Sequence, residues 1–150
     1  MKAVFPGSFD PFTIGHADIV RRALPLFDGI IIAVGENIGK APVFPLDERL
    51  ASIRRCFADE PKISVVSYSC LTTELARGHN AAFIIRGVRS VADFEYERAM
   101  ADANKSLSIA DGEQPIETLL LYTSPSLSHI SSSLLRDLHK HGKDITPYLP

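Results

Sequence analysis

The chain is 150 residues long and 45% hydrophobic, enough for one domain with a real core. Sixteen basic residues against eighteen acidic ones, with a formal net charge of −2, exclude a broad nucleic-acid-binding surface, so any anion site must be local. No apolar run approaches the ~20 residues of a membrane helix. No signal peptide precedes the first strand-like run, and Cys56 and Cys70 are isolated, so a reduced cytoplasm is expected.

In chain order, Lys2–Phe5 reads as a strand. It runs into FPGSFDPFTIGH, residues 5–16, where Pro6, Gly7 and Pro11 predict a compact turn carrying Ser8, Thr13 and His16. The next segment is helical, with Ile19, Val20, Ala23, Leu24 and Phe27 on one face. Ile30–Val34 is the second strand, and the loop GENIGKAPVF after it carries Lys40. A helix follows with Leu46, Leu50, Ile53 and Phe57 aligned, then a strand at Ile63–Ser67 and a short helix through Leu71, Leu75 and Ala76. Phe83–Arg86 is the fourth strand, opening IIRGVR with Arg86 and Arg89. A longer helix runs from Val91 to about Lys105, and Ser106–Pro115 reads as an exposed loop. Glu117–Tyr122 is the fifth strand, followed by SHISSS and a last helix, Ser132–His141, with Leu134, Leu135 and Leu138 inward. Short apolar strands alternating with helices predict an α/β fold, a single three-layer Rossmann-like domain over 1–150 with a five-stranded parallel sheet.

In such a sheet the residues that follow the strands gather at one edge. Here they are Ser8, Thr13 and His16, then Lys40, then Arg86 and Arg89, then Ser131, Ser132 and Ser133. One imidazole, three fixed cations, hydroxyls and two helix N-termini suit the phosphates of a nucleotide and transfer chemistry at phosphorus. Each piece also has an ordinary structural role: His16 as a cap, the arginines as partners of nearby carboxylates, ISSS as an N-cap, Lys40 as a solvated loop residue. His139 and His141 read as solvated, and no histidine or cysteine has zinc-like spacing, so no protein-bound metal is expected. The usual phosphate-loop and nucleophile-elbow motifs are absent.

GSFDPFTIGH, IIRGVR, DFEYE and ISSS together resemble the nucleotidyltransferases marked by a (His/Thr)-x-Gly-His motif, and within them the bacterial phosphopantetheine adenylyltransferase family. The resemblance implies transfer of AMP from ATP, with Mg2+, to 4′-phosphopantetheine, giving dephospho-coenzyme A and pyrophosphate by in-line attack without a covalent intermediate. It implies catalytic roles for His16, as transition-state stabiliser, and for Lys40 and Arg89. It implies that Ser8, Lys40, Thr72, Arg86 and Asn104 bind phosphopantetheine. ATP would be held by Ser8, Phe9 and His16, by Gly87, Val88 and Arg89 as a turn, by Glu97, and by Leu127, Ser128, His129, Ile130, Ser131, Ser132 and Ser133. It also implies a cytoplasmic homohexamer, a dimer of trimers, with no nucleic-acid or membrane partner. Two departures stand out: Ser8 replaces the commoner threonine, and Gly39-Lys40-Ala41-Pro42 has one lysine where relatives often have two before the proline. A cytidylyltransferase with another acceptor and a regulatory nucleotide-binding module are the competing readings.

Overall fold

The computed structural model describes residues 1–36 and 41–150. Its elements are β1 (Lys2–Gly7), α1 (Ile14–Ala23), β2 (Gly29–Gly35), α2 (Leu46–Cys56), β3 (Ile63–Tyr68), α3 (Thr72–Gly78), β4 (Phe83–Val88), α4 (Val91–Ala110), β5 (Glu117–Tyr122) and α5 (Ser132–Lys140). The five strands form one parallel sheet in the order β3-β2-β1-β4-β5, as the alternation of elements predicts. Among the described residues no helix is long and apolar enough to cross a membrane.

Alternating side chains of the central strands enter two cores. Ala3, Phe5, Ile30, Ile32 and Val34 pack with Val20 and Ala23 of α1 and Leu50 and Ile53 of α2. Val4, Ile31, Ala33 and Ile84 pack on the other face with Leu75 and Ala76 of α3. Strands covered on both faces read as unbroken apolar runs, which is why IIIAV in β2 carries no polar alternation. A third, smaller cluster of Ile130, Leu135 and Ile145 seats α5 beside Ile14 and Phe44.

The switch point of the sheet lies between β1 and β4. These strands pair only at Ala3–Phe83 and Val4–Ile84, and beyond that pair no further register is made, so a crevice opens at their carboxyl ends.

Several boundaries differ from the sequence expectation. β1 continues through Pro6 and Gly7, still in register with Ala33 and Val34 of β2. Pro6, lacking an N–H, falls where the β4 side of the ladder is already open. Gly87 and Val88 are the last residues of β4, paired with Leu121 and Tyr122, not a turn. Pro25 ends α1 early, so Leu24 starts a 3-10 turn and Phe27 is buried from extended backbone. α4 runs on to Ala110 because Ser108 is buried and its hydroxyl donates to the Asn104 carbonyl. The turn after it uses Gly112 at φ +72°. In α5 it is Leu135 that is fully buried, whereas Leu134 faces solvent.

Candidate active site

The turn after β1 is built on an aromatic stack. Phe9 sits at φ +46° and folds its ring back over β1, 5.3 Å from Phe5 and 5.1 Å from Phe12 between centroids. A Cβ on residue 7 would lie 2.8 Å from the Phe9 ring, so glycine is required there. Arg49 is buried under the same turn, with Nη1 donating to the carbonyls of Ser8 (2.6 Å) and Gly35 (3.0 Å) and Nε to that of Phe44 (3.0 Å). The buried Asp10 carboxylate accepts the N–H groups of Val43 and Phe44. The turn is therefore clamped to the end of β2 and to the start of the α2 segment.

His16 closes the first turn of α1. Thr13 is the N-cap: its hydroxyl accepts the His16 N–H, and its own N–H donates to His16 Nδ1 at 3.0 Å. A ring nitrogen that accepts from an amide must be unprotonated, so the neutral imidazole carries its proton on Nε2. The ring lies edge-on to Phe9 and beside Phe12. Burial, with the charges of Arg89 and Arg86, lowers its pKa from 6.5 to about 4. His16 is thus a neutral N–H donor at pH 7, and no acidic residue occupies the first turn of α1 to compete for an anion.

This pKa shift predicts a pH dependence. Above pH 6.5 the imidazole is neutral in folded and unfolded chains alike and contributes nothing. Between 6.5 and about 4 the unfolded chain takes up a proton that the folded one refuses, so stability is lost as the pH is lowered. From the shift, roughly 2–3 kcal/mol should be lost between pH 7 and 4.5 in the unliganded protein, read by urea unfolding. His16→Gln should remove that loss. A parent and variant with the same pH dependence would contradict the neutral, partly buried imidazole.

Arg86, from the end of β4, bridges the mouth of the crevice. Nη1 donates to the Pro6 carbonyl (2.6 Å), and Nε and Nη2 grip both oxygens of Glu97 on α4 at 2.7 Å. Burial opposes its charge, but the bonds and charge of Glu97 more than offset it and hold its pKa above the usual arginine value. Among the described residues three of its five N–H bonds find partners, and two are open to an anion. Arg89 is held at Nε and at its backbone N–H by Asp93 Oδ2, both 3.1 Å. At the start of α5, Ser131 caps the helix and Ser132 donates to the Pro11 carbonyl. Arg136 donates to Ser133 and to the Asp10 carbonyl, joining α5 to the first turn.

These groups line a cleft of about 280 Å3, which brings together Ser8, Phe9, His16, Arg86, Gly87, Arg89, Glu97, Ile130, Ser131, Ser132 and Ser133 of the sequence-predicted set. Thr72 and Asn104 line a second cavity of about 160 Å3 between α3 and α4, which Arg86 and Glu97 also border. Val88 is buried in β4, Leu127 packs in the third core, and Ser128 and His129 are exposed; none of these four lines either cavity. Lys40 lies outside the described residues. Asp93, quoted from sequence only as the first residue of DFEYE, and Thr123 also line the cleft; Arg89, just before the N-cap of α4, pairs with Asp93 four residues on. Among the described residues no group of three His, Cys, Asp or Glu could hold a metal. The two cleft carboxylates, Asp93 and Glu97, are already tied to arginines.

A neutral N–H donor, fixed guanidinium groups and helix starts facing one crevice are suited to charge on phosphate oxygens, the requirement of nucleotidyl transfer. The comparisons agree: the profile described as cytidylyltransferase-like matches residues 4–138, which puts the chain among these transferases. More narrowly, the chain belongs to the phosphopantetheine adenylyltransferase family. It is 48% identical to the protein of that name from Phocaeicola vulgatus (99% of this chain, 95% of the relative) and 50% identical to that from Flavobacterium johnsoniae (99% and 94%). The fold alone is shared with the lipopolysaccharide core biosynthesis protein from Thermoplasma volcanium, at TM-score 0.55 and 18% identity over 83% of this chain and 96% of that one.

Proposed function

We propose that the protein transfers AMP from MgATP to the phosphate of 4′-phosphopantetheine, releasing pyrophosphate and dephospho-coenzyme A. The observation that carries the reading is Arg86, which borders both the nucleotide-sized cleft and the second cavity and keeps two N–H bonds for a phosphate between them. An acceptor with its phosphate at Arg86 and its arm along Thr72 and Asn104 meets a nucleotide held at Arg89 and the start of α5. An oxygen of the acceptor phosphate forms a bond to the α-phosphorus as the bond to the bridging oxygen breaks, and pyrophosphate leaves with that electron pair. A phosphate dianion needs no general base. His16 Nε2–H donates to the oxygen on which charge grows. A divalent metal, proposed as magnesium, would come with the ATP phosphates and neutralise their charge; Asp93 and Glu97, the cleft carboxylates, are paired with arginines and would not be its main ligands. The test is pyrophosphate release from ATP or CTP, with and without 4′-phosphopantetheine. Release requiring ATP and this acceptor is expected; release only from CTP, or none from folded protein, overturns the reading.

Lys40 completes the proposed cation set. By sequence it is the loop cation after β2, and one hydrogen bond to a phosphate charge is worth about 1.5–3 kcal/mol, so Lys40→Ala should lower kcat/KM for the acceptor about 10- to 150-fold. An enzyme within about twofold of the parent would remove Lys40 from the site.

A homo-oligomer also belongs to the proposal. α4 exposes Tyr96, Met100 and Leu107 on one side and Val91 and Ile109 on the other, several large apolar side chains for one solvated helix. Sedimentation at micromolar concentration should show a species larger than a dimer; a 16.4 kDa monomer would contradict it.

A further inference from the structure

We infer that Asp18 and Arg22, two residues of α1 that line neither cavity, position the nucleotide wall of the cleft. α1 lies close over β4 because Gly87 has no side chain: a Cβ there would sit 3.3 Å from Ile19. From that close approach α1 reaches past β4 to the chain leaving β5. Arg22 Nη1 donates to the Tyr122 carbonyl at 2.6 Å, and the Ser124 hydroxyl donates to Asp18 Oδ2 at 2.8 Å. Arg22 also bonds Asp18, at 3.2 Å, so the two grips act as one unit. Between the gripped residues sits Thr123, whose N–H donates to the Val88 carbonyl and whose side of the chain lines the cleft.

The same helix therefore carries His16 at its start and holds the opposite wall with its next two turns. Thr123 leads into the segment that ends at Ile130–Ser133, also in the cleft. The far end of that segment is tied to the first turn through Ser132 and Arg136. The Asp18–Arg22 unit ties the near end. Loss of the near tie lets Thr123 drift while His16 keeps its Thr13 bonds. The consequence is weaker nucleotide binding with little change in the chemical step, since the wall acts on bound nucleotide before and during transfer alike.

The inference rests on ATP occupying this cleft, and it is tested on the full chain by equilibrium binding of MgATP to Ser124→Ala and Arg22→Met. Each should raise the Kd and KM for ATP about 5- to 20-fold, with kcat and the KM for 4′-phosphopantetheine within about threefold. Ser124→Thr should restore the parent Kd. Unchanged ATP binding in both variants overturns the inference. So does an equal weakening of both substrates with a lowered melting temperature, the mark of a merely structural tie. A parent that binds MgATP but releases no pyrophosphate with 4′-phosphopantetheine overturns the proposed function and leaves this binding comparison intact.

Discussion

His16→Ala is expected to lower kcat about 100- to 1000-fold while the Kd for ATP stays within about threefold, the pattern of a donor that acts on transition-state charge. The expectation follows from how the residue is held. Thr13 fixes both the backbone and the tautomer of His16, so the Nε2–H is aimed before substrate arrives. The lowered pKa keeps it neutral, so its interaction with a ground-state triphosphate is that of an ordinary donor and not of a cation. It strengthens when charge accumulates on the α-phosphate oxygens. Steady-state kinetics with parallel ATP binding measurements check this. Collapse of ATP affinity with kcat unchanged would make His16 a ground-state anchor.

Arg86→Ala should be the most damaging change overall, because it removes two things at once. Glu97 is nearly buried and would be left without its partner; breaking a fully buried pair this way costs about 3–5 kcal/mol, and the 30% exposure of the Arg86 side chain puts this pair below that range. The acceptor would lose its proposed phosphate ligand as well. The two effects can be separated. Arg86→Met with Glu97→Leu should recover most of the stability in urea unfolding, since an apolar pair replaces the ionic one. It should not recover the KM for 4′-phosphopantetheine. If the double variant regains acceptor affinity, Arg86 serves the fold alone.

The sheet and the position of the cleft were legible because they follow from local pattern. Five short apolar runs alternating with helices admit few topologies, and the residues after the strands then gather at one edge. The place of His16 at the cleft was legible for the same reason, and its ordinary reading as a cap also holds: it caps α1 and lines the cleft in one geometry. Ser131 is likewise both cap and cleft wall.

What was not legible depends on contacts distant in sequence. Arg49 reads as one more charge on an amphipathic helix, yet it is buried, and its acceptors lie up to 41 residues away. Thr123 has no local signal, because its place is set by α1 gripping both neighbours from 100 residues or more away. The longer α4 was missed because the run after Lys105 has few charges and ends in Asp-Gly, which looks like loop until Ser108 is seen buried. The apolar run of the fourth strand reads as ending at Arg86, and the resemblance implies a turn at Gly87 and Val88, but parallel pairing with β5 keeps both in the strand.

The central claim is a single in-line displacement in which side chains bind and stabilise but never bond to phosphorus. It is tested most directly by the stereochemical course at the α-phosphorus. One diastereomer of ATP carrying sulfur at that phosphorus would be turned over with 4′-phosphopantetheine, and the configuration of the thio-dephospho-coenzyme A read by phosphorus NMR. One displacement inverts the centre, and inversion is the expected result. Retention would require two displacements through an adenylylated side chain, and it would contradict the mechanism proposed for this cleft.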